Sequence, residues 1–518
     1  MSFTNDTRVC VPLNEKTLGD LTAATLKAAD AADFVELRVD GLLPQELTGA
    51  SAKLENLINS ISRQVILTFR SSQEGGYRPL TKTQRRAFWH EYVKSNAALF
   101  DIEMDLVAEL TNSQGNEQPD WSRVICSQHY FDERPRSLED VYEQMAFTPA
   151  RILKLAVKAN DIVDCLDLFK LLERAGRDNR DLIAIAMGSA GVITRILGPS
   201  RGSFLTYGAA AVERGTAPGQ LLASELRSVY RIDKIDSDTA VTGLVGLPVM
   251  HSVSPHMHNA AFQASGLNGV YLPLEVHDLS GFFKRMVVPR SREFDWNLRG
   301  LSVTAPHKVE VMKFLDWIDP IAEEIGAVNT VVLQDEQLLG YNTDAAGLIE
   351  PLIQRIGSLS GIRAAVIGSG GAASAAVFAL QQHNVDVCLF ARDPQRAETV
   401  SRRFNISCES LDNESFAGRD IVINATPLGS FGEKKNETPV RANQLRGSRL
   451  VYDLVYNPIE TRFMREGREA GCDVLSGLEM LVAQACHQFK LMTKTDISSK
   501  LMYAAGLSAL TGNFSSSS

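Results

Sequence analysis

The chain has 518 residues, too many for one hydrophobic core, and at roughly 150 residues per domain it suggests about three domains. A formal charge of −9 and an apolar content of 44% exclude a basic nucleic-acid module and a disordered chain. No apolar run approaches the roughly 20 residues needed to span a bilayer, so neither nucleic acid nor membrane is an expected partner. The first residues, MSFTNDTRVCVPLNEKT, show no secretory or transit pattern. Seven scattered cysteines without a CxxC pair point to a reduced, cytoplasmic setting without structural zinc.

In chain order, eight β-branched runs open the sequence: 8–13, 34–40, 64–70, 99–105, 123–131, 151–158, 182–188 and 204–210. Helical patterns such as 17–32 and 81–96 lie between them. Strands alternating with helices pair in parallel. Eight such units favour an α/β class protein with an N-terminal (β/α)8 barrel, the TIM barrel, over an open doubly wound sheet. Ionisable residues recur near the ends of these runs: Glu36, Arg38, Asp40, Arg70, Glu103, Asp105, His129 and, just after the seventh, Arg195. Any one of them could be a structural ion pair. Together they mark a site, because barrel sites lie at the C-terminal strand ends and buried charge is costly.

Lys154 sits in the apolar run RILKLAVK. Burial favours a neutral amine, which can attack a carbonyl and form a Schiff base. His129, in SQHYF on the preceding run, can move the proton beside such an imine. Glu74, in RSSQEGG, can orient that histidine, and Arg195 can clamp a carboxylate. This chemistry is proton abstraction beside a ketone followed by loss of a leaving group, which leaves aldolase and dehydratase equally open.

The motifs VELRVD, RSSQEGG, DIEMD, SQHYF, ILKLAV, MGSAGVITR, LTYGAA and TAPGQ span nearly all of 1–230. With them this half resembles the type I 3-dehydroquinate dehydratases. The resemblance implies that Lys154 forms the imine with 3-dehydroquinate, with His129 as general acid/base and Glu74 behind it. It implies that Glu36, Arg38, Arg70, Arg195, Thr216 and Gln220 bind substrate, without a metal. Thr216 stands where the family commonly has Ser.

A polar stretch, 231–239, reads as a linker. Beyond it come HSVSPHMHN, SVTAPHK, AVNT and YNTDAAG. Ser252 and Ser254 could grip a small polar acid, or Ser254 and Pro255 could simply start a helix. Lys308 with Asp344 could hand a proton to an alkoxide formed by hydride transfer. The run IRAAVIGSGGAASAAVFAL then reads as strand, glycine turn and helix, a Rossmann-type phosphate-binding arrangement. About 20 residues on, Arg392 and Arg396 favour the 2′-phosphate of NADP, while Asp393 leans towards NAD. NADP is expected, with NAD the alternative.

These motifs, with NATPLG, DLVYNP and GLEMLVAQA, resemble the shikimate dehydrogenases over roughly 240–505. The resemblance implies that Lys308 and Asp344 are the catalytic pair. It implies that Ser252, Ser254, Thr304, Asn329, Thr343, Tyr456 and Gln484 bind shikimate. Gly368, Gly370, Gly371, Ala372, Arg392, Asp393, Arg396, Thr426 and Gly477 fall on the cofactor side. Ser302 stands where the family usually has Asn, and Ala391-Arg392-Asp393 where Asn-Arg-Thr is common. Side by side, the halves resemble the family in which both enzymes are fused. That implies dehydration of 3-dehydroquinate to 3-dehydroshikimate, then NADPH-dependent reduction to shikimate. A quinate-preferring second half and a non-catalytic sensor are the alternatives. The expected domains are a barrel (1–232), a shikimate-binding domain (240–345, completed by helices at about 476–512) and a Rossmann domain (346–475).

Overall fold

The computed structural model describes residues 7–28, 30–47, 51–112, 118–211, 220–411, 416 and 418–512. Eight parallel strands form the first sheet: β1 (Val9–Leu13), β2 (Phe34–Arg38), β3 (Gln64–Thr68), β4 (Leu99–Glu103), β5 (Val124–Tyr130), β6 (Ile152–Lys158), β7 (Asp181–Met187) and β8 (Thr206–Tyr207). They run in the order β7-β6-β5-β4-β3-β2-β1-β8. β8 pairs with β1, and beside β8 the Phe204 N–H donates to the Leu182 carbonyl of β7 at 2.8 Å. The ring therefore closes, and the alternation of strands and helices resolves as a barrel.

Strand parity explains where the polar side chains go. Cys10, Phe34, Ile66, Leu99, Ile125, Ile152 and Ile183 share one apolar interior cluster. Side chains two residues further along a strand point to the same face. That face receives Glu36, Thr68, Asp101, Ser127 and Lys154, all buried. The barrel interior is thus apolar at the strand starts and ionic towards their C-terminal ends.

The eighth expected run supplies only the two residues of β8. The stretch 231–239 is no loose linker either. It contains a 3-10 turn, Ile232–Lys234, with Ile232 and Ile235 buried, and Arg227 pairs with both Asp233 and Asp33.

A second, mixed sheet holds β9 (Ala240–Gly246), β10 (Gly269–Glu275), β11 (Leu298–Val303), β12 (Trp317–Ile318), β13 (Thr330–Gln334) and β14 (Gln337–Tyr341), in the order β10-β9-β11-β13-β14-β12. A third, parallel sheet holds β15 (Arg363–Ile367), β16 (Asp386–Ala391), β17 (Ser407–Ser410), β18 (Ile421–Asn424), β19 (Leu450–Asp453) and β20 (Asp473–Leu475). Its order, β17-β16-β15-β18-β19-β20, reverses direction between β15 and β18. In such sheets the ligand crevice lies at that switch point, outside the carboxyl ends of the strands. The last helices, Gly477–Thr493 and Ser499–Thr511, return to pack on Ser254–Ser265 through Met257, Phe262, Phe489 and Met502.

The chain divides into two compact units. One holds the chain up to Ala240 together with Leu272–Asn297. The other holds Val241–Tyr271 and everything from Leu298 on. Within the first unit, Phe294 stacks on Phe169 at 4.2 Å, and Asp161 accepts from the backbone N–H groups of His277 and Asp278. Among the described residues no helix is long and apolar enough to cross a membrane, and no cluster of three His, Cys, Asp or Glu side chains is placed to hold a metal ion.

Candidate active sites

Glu36, Arg38, Arg70, His129, Lys154, Arg195 and Gln220 line one cavity in the barrel. Lys154 Nζ lies 2.8 Å from Asp101 Oδ2, 2.8 Å from Tyr207 Oη and 4.0 Å from Glu36 Oε1. Asp101 also accepts from Arg70 at 2.5 Å and from Ser127 at 2.6 Å. Burial opposes the Asp101 charge, but Arg70, then Lys154 and His129, outweigh it and hold the carboxyl well below its ordinary range. Arg38 donates to Asp40 and to the Gly75 carbonyl, and Glu36 accepts from Thr68 at 2.6 Å.

Glu74 sits behind His129, accepting its backbone N–H at 3.1 Å and facing its Nδ1 at 3.3 Å. Burial raises the Glu74 carboxyl to about 8. Burial, then the Arg70 and Lys154 charges, push the His129 imidazole well below its ordinary value. At neutral pH the resting pair therefore holds its proton on Glu74 and keeps His129 neutral, able to take a proton. Arg195 is buried, and its Nε has no hydrogen-bond partner among the described residues. Burial lowers its guanidinium to about 10. A buried cation short of an anion is suited to a carboxylate ligand. Thr216 lies outside the described residues.

The second unit carries a larger cavity lined by Ser252, Ser254, Thr304, Lys308, Asn329, Asp344, Tyr456 and Gln484. Lys308 Nζ meets Asp344 Oδ2 at 2.5 Å, and Asn329 Nδ2 donates to Asp344 Oδ1 at 2.9 Å. The aspartate starts the helix Asp344–Ile356, where the backbone N–H groups favour a negative charge. Ser252 Oγ donates to Ser254 Oγ at 3.1 Å, and Ser254 is the first residue of the helix Ser254–Ser265, not its cap: Val253 holds that position and no side chain caps the helix. Thr343 does not line the cavity. It stands behind it, its N–H donating to Asn329 Oδ1 at 2.8 Å.

Ala372, Thr426 and Gly477 line the same cavity. Gly368, at φ +129°, directly follows β15, and a β-carbon there would come within 3.0 Å of the Ala425 carbonyl oxygen. Above Gly370 the space is open, and the β-carbon position of Gly371 lies 3.8 Å from Lys308 Cδ. The N-terminus of the helix Gly371–Gln381 therefore opens onto the lysine–aspartate pair. Such a glycine turn admits a pyrophosphate close to the backbone. Arg392 and Asp393 are exposed just past β16. Asp393 Oδ1 accepts from Gln395 N at 3.1 Å, so this carboxylate is engaged by the helix that follows. The Arg396 side chain lies outside the described residues.

The type I 3-dehydroquinase family matches residues 9–237. The shikimate dehydrogenase substrate binding domain matches 244–331, and the shikimate 5′-dehydrogenase C-terminal domain matches 477–505. A chloroplastic bifunctional 3-dehydroquinate dehydratase/shikimate dehydrogenase of Arabidopsis thaliana is 32% identical over 513 residues, covering 94% of this chain and 82% of that protein. The chain belongs to the bifunctional 3-dehydroquinate dehydratase/shikimate dehydrogenase family. It is a lyase and an oxidoreductase of the shikimate pathway. Its dehydrogenase half is also similar to the shikimate dehydrogenase (NADP(+)) of Methanocaldococcus jannaschii, 36% identical over 54% of this chain and 99% of that one. A crystal structure of a shikimate dehydrogenase with NADP+ aligns at a TM-score of 0.50 and 36% identity, over 53% of this chain and 97% of that one.

Asp101 and Tyr207 lie inside DIEMD and LTYGAA but are given no role there, and Gln488 lies outside every motif. Asp101 and Tyr207 are hydrogen-bond partners of Lys154. In the dehydrogenase cavity Ser302 donates to Gln488 at 2.8 Å, and both line the wall. Gln488 was findable. It lies four residues after Gln484 in a helical run, on the same face.

Proposed function

We propose that Lys154 carries the dehydration as a Schiff base and that Lys308 with Asp344 carries the reduction. The observation that supports the first is a buried amine in a cavity shared with His129, Arg70 and Arg195. The Lys154 amine condenses with the ketone of 3-dehydroquinate and releases water. The protonated imine withdraws electrons from the adjacent carbon, and neutral His129 takes that carbon's proton. The electron pair then returns through the enamine and expels the β-hydroxyl, which takes its proton from His129. Hydrolysis of the imine frees 3-dehydroshikimate and the amine. Arg195 receives the substrate carboxylate, while Glu36, Arg38, Arg70, Thr216 and Gln220 fix the ring.

In the second cavity the turn at Gly368, Gly370 and Gly371, with Ala372, Thr426 and Gly477, would hold NADPH, which would supply the hydride that reduces the ketone of 3-dehydroshikimate. The open space above Gly370 and the helix end facing Lys308 support that placement. Arg392 and Arg396 suit the extra phosphate of NADP, with NAD the weaker ligand. Ser252, Ser254, Thr304, Asn329, Tyr456 and Gln484 orient the acid, Thr343 holds Asn329 from behind, and Lys308 protonates the oxygen as it becomes an alkoxide. Asp344, in contact with that lysine, keeps it aimed. The domain limits above stand as part of this reading. Free cysteines throughout the fold support a reducing compartment, the cytoplasm.

Borohydride reduction with dehydroquinate present tests the dehydratase reading. The expected result is a covalent adduct on the peptide containing Lys154 and none in Lys154→Ala. An unmodified wild-type chain refutes the Schiff base.

A further inference from the structure

One group in the dehydratase cavity has no role in the scheme above. Tyr207 lies on β8, in register with Cys10 of β1, and is only 5% exposed. Its Oη is 2.8 Å from Lys154 Nζ, and that nitrogen lies 4.3 Å from the centre of its ring. Among the described residues, the amine therefore has two hydrogen-bond partners of different character. Asp101 is an ionised carboxylate and can only accept. A phenol can accept and donate. Burial, then Glu36, Cys10 and Asp101, push the phenol well above its ordinary value, so it remains protonated throughout the working pH range. Asp101, held well below its ordinary range, has no proton to give.

We propose that Tyr207 is a catalytic group, the proton shuttle between Nζ and the substrate's carbonyl oxygen when the imine forms. The inference rests on the Schiff-base reading of Lys154 and deepens it. In the addition step the Nζ lone pair makes the N–C bond, and the carbonyl π pair moves onto oxygen. That oxygen takes the phenol proton. The phenolate oxygen takes one proton from the nitrogen, which addition has made cationic. The product is a neutral carbinolamine, and the phenol is regenerated. No charge remains on Tyr207 at the end of the step, as its burial requires. The ring face beside Nζ favours the transient cation. The same transfers run in reverse when the product's carbinolamine collapses to ketone and free amine.

Tyr207→Phe keeps the ring and removes only the hydroxyl. Single turnovers quenched with borohydride at timed intervals, and read by intact mass, give the rate and the final extent of adduct formation. The rate should fall about 100-fold, in the range of lost acid–base assistance, while the final extent is retained. Shikimate oxidation by the same sample reports that the chain is folded. Site-specific 3,5-difluorotyrosine at position 207, of nearly the same shape but a more acidic phenol, should change the adduct rate and displace its pH profile. A purely structural tyrosine would give neither change, so this second variant decides the matter even where Tyr207→Phe folds poorly. Adduct formation at the wild-type rate in Tyr207→Phe, or an unmoved profile with the fluorinated residue, overturns the role of Tyr207 alone. Absence of any adduct in the wild-type chain overturns the Schiff-base reading and this proposal with it.

Discussion

Lys154, His129 and Arg195 are visible in the sequence because each is an ionisable group in an apolar run. Asp101 is not, although it touches Lys154, Arg70 and Ser127 at once. In DIEMD three acids alternate, and alternation alone treats them alike. The fold separates them: Glu103 accepts from the Ser71 N–H and pairs with Arg85, and Asp105 pairs with Arg85 from a more exposed position. Tyr207 is hidden for a related reason, since an aromatic in a strand reads first as core. Glu74 allows a test of sign. Its carboxyl rises from 4.5 to about 8 through burial, so folding prefers its protonated form. That preference is fully expressed below the unfolded pKa and is lost as pH rises through 8. In Glu74→Gln nothing ionises. The variant's stability relative to wild type should therefore grow between pH 4.5 and 8 and level off above, by a few kcal/mol at most. Chemical denaturation at several pH values measures it. A difference that does not change with pH would show that Glu74 is already ionised in the resting enzyme.

Elements were legible to the extent that they carry a period. The seven longer barrel strands announce themselves by β-branched runs, but β8 has two residues and little pattern to offer. The hairpin between β13 and β14 gave no signal. Its turn residues, Asp335 and Glu336, both have positive φ without the Asn or Gly that usually marks such a turn. Gly477 shows how one residue can serve an element and a site. It opens the helix Gly477–Thr493 and lines the cavity of the second unit. Its spacing is also steric: a β-carbon there would lie 2.5 Å from the Leu454 carbonyl oxygen, a backbone atom that cannot swing aside. Gly477→Ala should therefore shift the helix start and destabilise the fold by about 1–3 kcal/mol. The midpoint of thermal unfolding should fall, and KM for NADPH should rise while dehydratase kinetics stay constant. An unchanged midpoint would mean that the loop carrying Leu454 yields freely.

At the scale of the whole molecule, the opening arithmetic could exclude one core but could not say which segments share one. Length counts residues, whereas compactness depends on contacts far apart in sequence. Leu272–Asn297 groups with the first unit through Phe294, His277 and Asp278, none of which belongs to any motif. The sites themselves follow a simpler rule, for the residues lining each cavity come from a single unit. Each lysine should then serve its own reaction and no other. Lys154→Ala should lose dehydration and keep shikimate oxidation at the wild-type rate, and Lys308→Ala should do the reverse. Neither variant alone converts dehydroquinate to shikimate. An equimolar mixture should restore the conversion, because 3-dehydroshikimate released by one chain is a substrate for the other. NADPH consumption after addition of dehydroquinate reads this directly. It should begin with a lag, which shortens as the Lys154→Ala chain is supplied in excess. A mixture that stays silent, while each variant retains its own single activity, would mean that the intermediate does not reach solution and that the two sites depend on one intact chain.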